Sequence, residues 1–374
     1  FLFITVEIFL MNTFKVALLE GDGIGPEIAS EAVKVLRKVE DTGRAKFDIT
    51  TAPFGGGAYF SHGTAFPEEA KIVCDDADAI IKGPIGLSKV ESDKIPVEEQ
   101  PERGALLPLR RRYDTYANFR PVYLPKGLGS FSPLRSEVIG DGIDIMIIRE
   151  LVGGLYFGGK ERGESEGKRY VKETLEYDEE QIRRIMHIAF QEAEARKRLL
   201  HNVHKSNVLM SSVLWNEVLE EVALDYPEVR VEHVIVDAAA TALVLSPSQF
   251  DVMVMENMFG DILSDLGGGI LGSLGLMPSA CIGPEKSYYE PSHGSAPDIA
   301  GKGIANPYSM IGSVALMLDK SFGMKTESDA LWNSMQQVFE DGFSTADLSR
   351  GSEELISTAE FGDKVVATLE SKLF

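Results

Sequence analysis

The chain has 374 residues, of which 44% are hydrophobic, 25% charged and 9% aromatic, a balance that suits about two folded domains and excludes a disordered or fibrous protein. Its 58 acidic side chains against 37 basic ones leave a formal charge of -21, a field that repels phosphate backbones and anionic lipid and argues against nucleic-acid or membrane-surface partners. Cys74 and Cys281, the only cysteines, build neither a disulfide framework nor a four-thiolate metal site, which fits a reducing, cytoplasmic setting.

Residues 1–10, FLFITVEIFL, are apolar with one acid and no base. They are too short to span a bilayer and lack a secretory n-region, so they read as a leader or translation artefact ahead of a domain that starts at Met11. FKVALLE then predicts a buried strand, and GDGIGPE turns it into a helix with Ile28, Ala32, Val35, Leu36 and Val39 on one face. The runs DADAIIKGP, IDIMIIRE, VRVEHVIVD and FDVMVMEN predict further strands, and EEQIRRIMHIAFQEAEARKRL predicts a helix with a stripe through Ile182, Ile185, Met186, Ala189, Phe190 and Ala193. Strands alternating with helices argue an α/β fold of mainly parallel strands, with working residues just past the strand ends.

GDGIGPE is not a dinucleotide fingerprint, because Pro26 holds the position where a standard Rossmann loop needs its third glycine. GLYFGGKE has the spacing of a P-loop, but Glu161 stands where a magnesium-binding hydroxyl belongs. The stretch Tyr289 to Pro307 is glycine-rich and polar. It reads equally as a surface loop or as a pyrophosphate cradle with Ser295 and Asp298 beside it.

Asp261 and Asp265 are four residues apart, so a helix starting after Gly260 places both carboxylates on one face. Either a hard divalent cation relieves their repulsion, with Asp237 as a possible third ligand at a strand end, or Asp261 caps the helix and Asp265 is solvated. Several forked guanidiniums among Arg110, Arg111, Arg112, Arg120 and Arg149 would bind a small polycarboxylate bidentately; Arg120, before Pro121, and Arg149, at a strand end, read as the better anchors, whereas Arg111 and Arg112 read as solvated. Tyr156 after Gly153–Gly154 either faces a cleft or packs, and Lys205 is either solvated or a base.

Taken together in order, GDGIGPE, ANFRP, RELVGGLYFG, GDILSD, GSLGLMPSA and HGSAPDIAGKGIANP resemble the isocitrate/isopropylmalate family of decarboxylating dehydrogenases from about Met11 to the C-terminus. RELVGGLYFG and PERGALLPLR resemble its isopropylmalate branch. The resemblance implies a two-domain α/β fold with a mixed, mostly parallel sheet that is not a standard Rossmann fold. It implies a cofactor-binding domain from 11–115 with 272–374, and a substrate, metal and dimerisation domain from 116–271.

The activity it implies is NAD-dependent oxidative decarboxylation of a hydroxy-dicarboxylate, 3-isopropylmalate first, with homoisocitrate, isocitrate, malate or tartrate as alternatives and a non-catalytic regulatory paralogue as the reading from another class. Asp237, Asp261 and Asp265 then correspond to the Mg2+ or Mn2+ ligands, Asp237 also lying at the substrate. Arg110, Arg120 and Arg149 correspond to the carboxylate clamp, Lys205 to the base and Tyr156 to the proton donor. Leu106, Leu107 and Val208 correspond to the apolar substrate contacts. Glu290, His293, Gly294, Ser295, Ala296, Pro297, Asp298, Ile299 and Asn306 correspond to the NAD site, with Asp298 favouring NAD over its 2'-phosphate. A homodimer is implied in which Lys205 and Asp237 enter the partner's site. His204, Thr241 and DLGGGILGS depart from the family pattern, and the glycines Gly267 to Gly269 predict a looser or shorter helix after Asp265.

Overall fold

A computed structural model describes residues 12–351 and 353–373; the reading of residues 1–10 as a leader lies outside them. The described residues form two compact units, one from 12–105, Gly294–Ala346 and 354–373, the other from Leu106–His293, 347–351 and 353. Among the described residues, no helix is long and apolar enough to cross a membrane.

In the first unit, β1 (Asn12–Leu19) pairs in parallel with β2 (Ala45–Thr51) and β3 (Ala79–Lys82). Val16 to Leu19 are buried, which is why this apolar run is an inner strand. The helix Gly25–Glu40 starts with Pro26 and Glu27 in its first turn and ends with Arg37 and Lys38, matching the helix dipole at both ends. Its predicted face is buried throughout, and burying each such Leu or Ile contributes about 1.5–3 kcal/mol. Tyr308–Lys320 is apolar around most of its circumference, with Tyr308 to Leu318 buried, and lies between Gly25–Glu40 and Lys325–Glu340.

In the second unit, β4 (Ala117–Pro125) and β5 (Gly142–Glu150) are antiparallel. A separate hairpin joins β6 (Lys160–Ser165) to β7 (Lys168–Glu173) through Glu166 and Gly167, both at positive φ. β8 (Leu199–His204), β9 (Arg230–Ile235) and β10 (Val252–Met255) then extend the sheet from β5 in the order β5-β10-β8-β9, all parallel. β11 (Pro278–Ile282) pairs antiparallel with β4 and with β12 (Ser287–Pro291). The sheet is therefore mixed, as the α/β reading with a mostly parallel sheet anticipates.

Parallel pairing puts the carboxyl ends of β5, β8, β9 and β10 on one side of the unit. Arg149 pairs in register with Met255, Met255 with Val203, and His204 with Ile235. Arg149, Glu256, Lys205 and Asp237 consequently emerge from one edge of the sheet, where open α/β sheets present ligands. Glu179–Ala195 covers the sheet with its predicted stripe, from Ile182 to Ala193, buried.

Four local expectations are corrected. The helix expected after Gly260 begins at Asn257, capped by the Glu256 carboxylate, which accepts from the backbone N–H of Met258 and Phe259 at 3.1 and 3.0 Å; Asp261 is thus no cap. Nor is that helix shortened by its glycines, for it runs unbroken to Leu271. A Cβ at Gly267 would lie 2.6 Å from Val122 Cγ2, and one at Gly268 2.5 Å from Leu274 Cδ2, so close packing offsets the intrinsic cost of glycine. Finally, the polar stretch expected from Tyr289 starts inside β12, where Tyr288 and Tyr289 are fully buried, and Asp237 sits in the first turn of the helix Val236–Leu245 rather than at the end of β9.

Candidate active site

Arg149 is one residue from the end of β5 and is 1% exposed. The helix Asn257–Leu271 crosses directly over its stem, because Gly260 leaves room that a Cβ, 2.4 Å from Arg149 Cγ, would fill. One turn of this helix then presents Asp261 to the guanidinium, whose Nη1 donates to Asp261 Oδ1. Arg120, in β4, donates from Nη1 to Asp265 Oδ1 at 3.2 Å and to Ser264 Oγ at 2.6 Å, and from Nε to Asn118 Oδ1 at 2.8 Å. Its Nη2 lies 3.9 Å from Asp261 Oδ1. Tyr156, closing the turn Gly154–Tyr156, donates to Asp261 Oδ2 at 2.8 Å.

These distances set the protonation states. Burial pushes Asp261 up, but Arg149 and Arg120 outweigh it and hold the carboxyl below its ordinary value. Burial raises Asp265, and the neighbouring Asp261 charge adds to this against the opposing pull of Arg120. Burial, with Arg120 nearby, brings Arg149 down to about 10, so it remains charged at neutral pH. Tyr156 is pushed up to about 12 by burial and by its bond to Asp261, which keeps its proton in place.

Arg110, on the helix Leu107–Tyr113, is buried, with Nε donating to Tyr288 Oη at 3.0 Å and Nη2 3.9 Å from Glu290 Oε1. Leu106 and Leu107 are half-buried at the start of that helix. Arg111 and Arg112, which the sequence reads as solvated, are exposed. Lys205 and Asp237 form a separate pair, Nζ to Oδ1 at 3.0 Å, and Lys205 holds Asp237 below the ordinary carboxylate value. Val208 nearby is exposed. Among the described residues, no three metal-capable side chains converge within one chain.

The arrangement brings together Arg110, Arg120, Arg149, Tyr156, Asp261 and Asp265. As a donor set, two carboxylates one helical turn apart, both partly open to solvent and with no soft ligand beside them, fit a hard divalent cation. Sequence reasoning missed Asn118, Ser264 and Asn257, which hold the arginines from behind. Their partners lie up to 144 residues away, so only NMFGD's proximity to the metal-type carboxylates could have signalled Asn257.

The glycine-rich loop divides between the two units. Glu290 and His293 belong to the second, Glu290 in β12. In the first unit, Gly294 is exposed with nothing within 4 Å of where a Cβ would stand, Ala296 takes φ +41, and Pro297 and Asp298 are exposed. Ile299 donates its N–H to Ala296 O at 3.1 Å. Ser295 is buried, donating to Gly86 O at 2.7 Å while its carbonyl accepts from Ile24 at 2.9 Å. Asn306 is buried, and its side chain accepts from the Tyr308 N–H at 3.0 Å. The exposure of Gly294 and of the Asp298 carboxylate fits a dinucleotide better than a filled loop would.

The GDGIGPE motif itself is a structural knot. The buried Asp22 carboxylate accepts from the backbone N–H of Gly56, Gly57 and Gly86 at 2.9, 2.8 and 2.9 Å.

A family model described as isocitrate/isopropylmalate dehydrogenase matches residues 15–365. The 3-isopropylmalate dehydrogenase of Geobacter sulfurreducens is 47% identical over 364 residues, 96% of this chain and 100% of that protein. That of Thermotoga maritima is 46% identical over 356 residues, 95% and 99% of the two chains. Among solved structures, an isocitrate dehydrogenase from Methylococcus capsulatus superposes with a TM-score of 0.83 at 33% identity, covering 96% of this chain and 99% of its own.

Proposed function

The chain belongs to the isocitrate/isopropylmalate dehydrogenase family, and from that premise we propose that it oxidatively decarboxylates 3-isopropylmalate to 4-methyl-2-oxopentanoate with NAD+, a step of leucine biosynthesis in the cytoplasm. The observation that carries this reading is the convergence of two buried arginines and a protonated tyrosine on one partly open carboxylate, Asp261. That arrangement serves an anionic substrate that must lose one carboxylate and gain one proton.

Arg110, Arg120 and Arg149 orient the substrate carboxylates, their fixed forks limiting the acid to one pose. Lys205 of the partner subunit takes the proton of the C2 hydroxyl, directly or through water. When bound, NAD+ supplies the hydride acceptor, and Mg2+ or Mn2+ held by Asp261, Asp265 and Asp237 of the partner subunit supplies a Lewis acid. As the bond from C3 to its carboxylate breaks, the electron pair enters the C2–C3 enolate. Tyr156, whose proton is retained up to about 12, delivers it to C3, and the phenolate regains one from solvent.

Leu106, Leu107 and Val208 form the apolar side of the pocket. Glu290, His293, Gly294 to Ile299 and Asn306 hold NAD+, with Asp298 accepting from the ribose. Apart from Arg110, Leu106 and Leu107, which serve the substrate, residues 11–115 with 272–374 serve the cofactor and 116–271 the substrate. The exposed Asp237, paired with Lys205, supports a homodimer in which both residues complete the partner's site.

The test is an initial-rate panel with NAD+ and Mg2+. Turnover of 3-isopropylmalate ahead of homoisocitrate, isocitrate, malate and tartrate is the expected result, and a ranking led by malate or isocitrate overturns the substrate assignment.

A further inference from the structure

Asn257 opens the helix Asn257–Leu271 and is fully buried. Its side-chain oxygen accepts twice from one guanidinium, from Arg149 Nε at 3.1 Å and Nη2 at 2.7 Å. Its side-chain nitrogen donates to Gly153 O at 3.0 Å, one residue ahead of the turn Gly154–Tyr156. Two parallel donors facing one oxygen fix the plane of the guanidinium and leave Nη1 aimed at Asp261. The same amide clamps the turn that sends Tyr156 to the other oxygen of Asp261.

The amide is in turn anchored from behind. The Asn257 backbone N–H donates to Tyr177 Oη at 3.0 Å, and that hydroxyl lies 3.0 Å from Glu150 Oε2 and 3.4 Å from Glu256 Oε2. Glu150 is itself fixed by the backbone N–H groups of Val152 and Gly153, both at 2.9 Å. Asn257 therefore stands where the end of β5, the Tyr156 turn and the Asp261 helix meet, held on three sides.

The chemistry of this position admits few substitutes. The group must accept from a cation on one side and donate to a carbonyl on the other, within the length of one methylene. Aspartate keeps the acceptor and loses the donor, while alanine loses both.

We propose that Asn257 is a positioning residue that aligns Arg149 with the substrate carboxylate and Tyr156 with the carbon to be protonated. This rests on the function proposed above. Arg149 acts in binding and Tyr156 acts after carbon dioxide leaves, so the two duties separate experimentally.

The experiment compares wild type with Asn257→Ala and Asn257→Asp in D2O, measuring KM, kcat and the stereochemistry of deuterium at C3 of the product. Wild type is expected to place deuterium on one face, since a fixed donor reaches only one. Asn257→Asp is expected to hold KM near wild type while kcat falls about 100-fold, the loss associated with a roughly 1 Å misplacement, and to scramble the C3 label. Asn257→Ala is expected to raise KM about tenfold as well, the equivalent of one hydrogen bond to a charged group.

A merely structural role would reduce the amount of active enzyme without disturbing stereochemistry, so full retention of one-face labelling in Asn257→Asp overturns the proposal. So does a KM for Asn257→Ala equal to that of wild type. The substrate reading fails separately, in the wild-type arm, if another acid is preferred, and the variants are then compared on that acid.

Discussion

Two aspartates that follow glycines, Asp22 and Asp261, have opposite fates. Asp22 is buried and its carboxylate is consumed by three backbone N–H groups, donors that neither move nor titrate. Asp261 stays 37% exposed at its side chain, and its partners are two arginines and a tyrosine. A carboxylate tied by backbone stitches loops together, whereas one surrounded by ionisable side chains with an open edge is available for chemistry. The motif alone does not distinguish them; the donors do.

The contrast can be broken first at the chemical end. Lys205→Ala is expected to cut turnover by roughly 100-fold to 10,000-fold, the usual range for a general base, while Mn2+ affinity changes little. Unchanged steady-state rates would remove Lys205 from the mechanism. At the structural end, Asp22→Asn is expected to cost about 3 kcal/mol of stability, because a neutral amide cannot serve three donors. Urea unfolding of Asp22→Asn and Asp261→Asn side by side sharpens the point, since only the first should lose that much.

Glycine gives a smaller test with a change of sign. Gly267→Ala is expected to destabilise by about 1–3 kcal/mol through the clash with Val122. Gly269→Ala, with nothing within 4 Å, is expected to stabilise the same helix by up to about 1 kcal/mol. Equal effects at the two positions in thermal melts would refute the packing explanation.

The smallest effect concerns His201, fully buried in β8 edge-on to Phe250 and held below its ordinary pKa by burial. A lowered histidine pKa means that the unfolded chain binds the proton more readily. Stability is therefore full above the unfolded value of about 6.5 and falls as pH drops through it toward the folded value. Melting temperatures between about pH 7.5 and pH 5.5 should decline less steeply in His201→Asn than in wild type.

Much of this was legible in the sequence where the signal is periodic. The stripe from Ile182 to Ala193 and the apolar runs of β1, β5 and β10 are buried as their spacing demands. Arg120 and Arg149 could be separated from Arg111 and Arg112 because strands bury their residues and an exposed helix face does not. Signals lying between distant segments were invisible: the donors to Asp22 are 34, 35 and 64 residues away, and Asn257 reaches Arg149 over 108. Propensity misled at Gly267 and Gly268, where fit against Val122 and Leu274 outweighs intrinsic helix preference. The hairpin Lys160–Glu173 escaped because its charged strands lack a buried face to set a period.

Manganese binding, followed by electron paramagnetic resonance on wild type, Asp22→Asn and Asp261→Asn, tests the distinction between the two carboxylates most directly. Affinity should survive in Asp22→Asn protein that remains folded and collapse in Asp261→Asn; retention of wild-type affinity in Asp261→Asn would contradict the account.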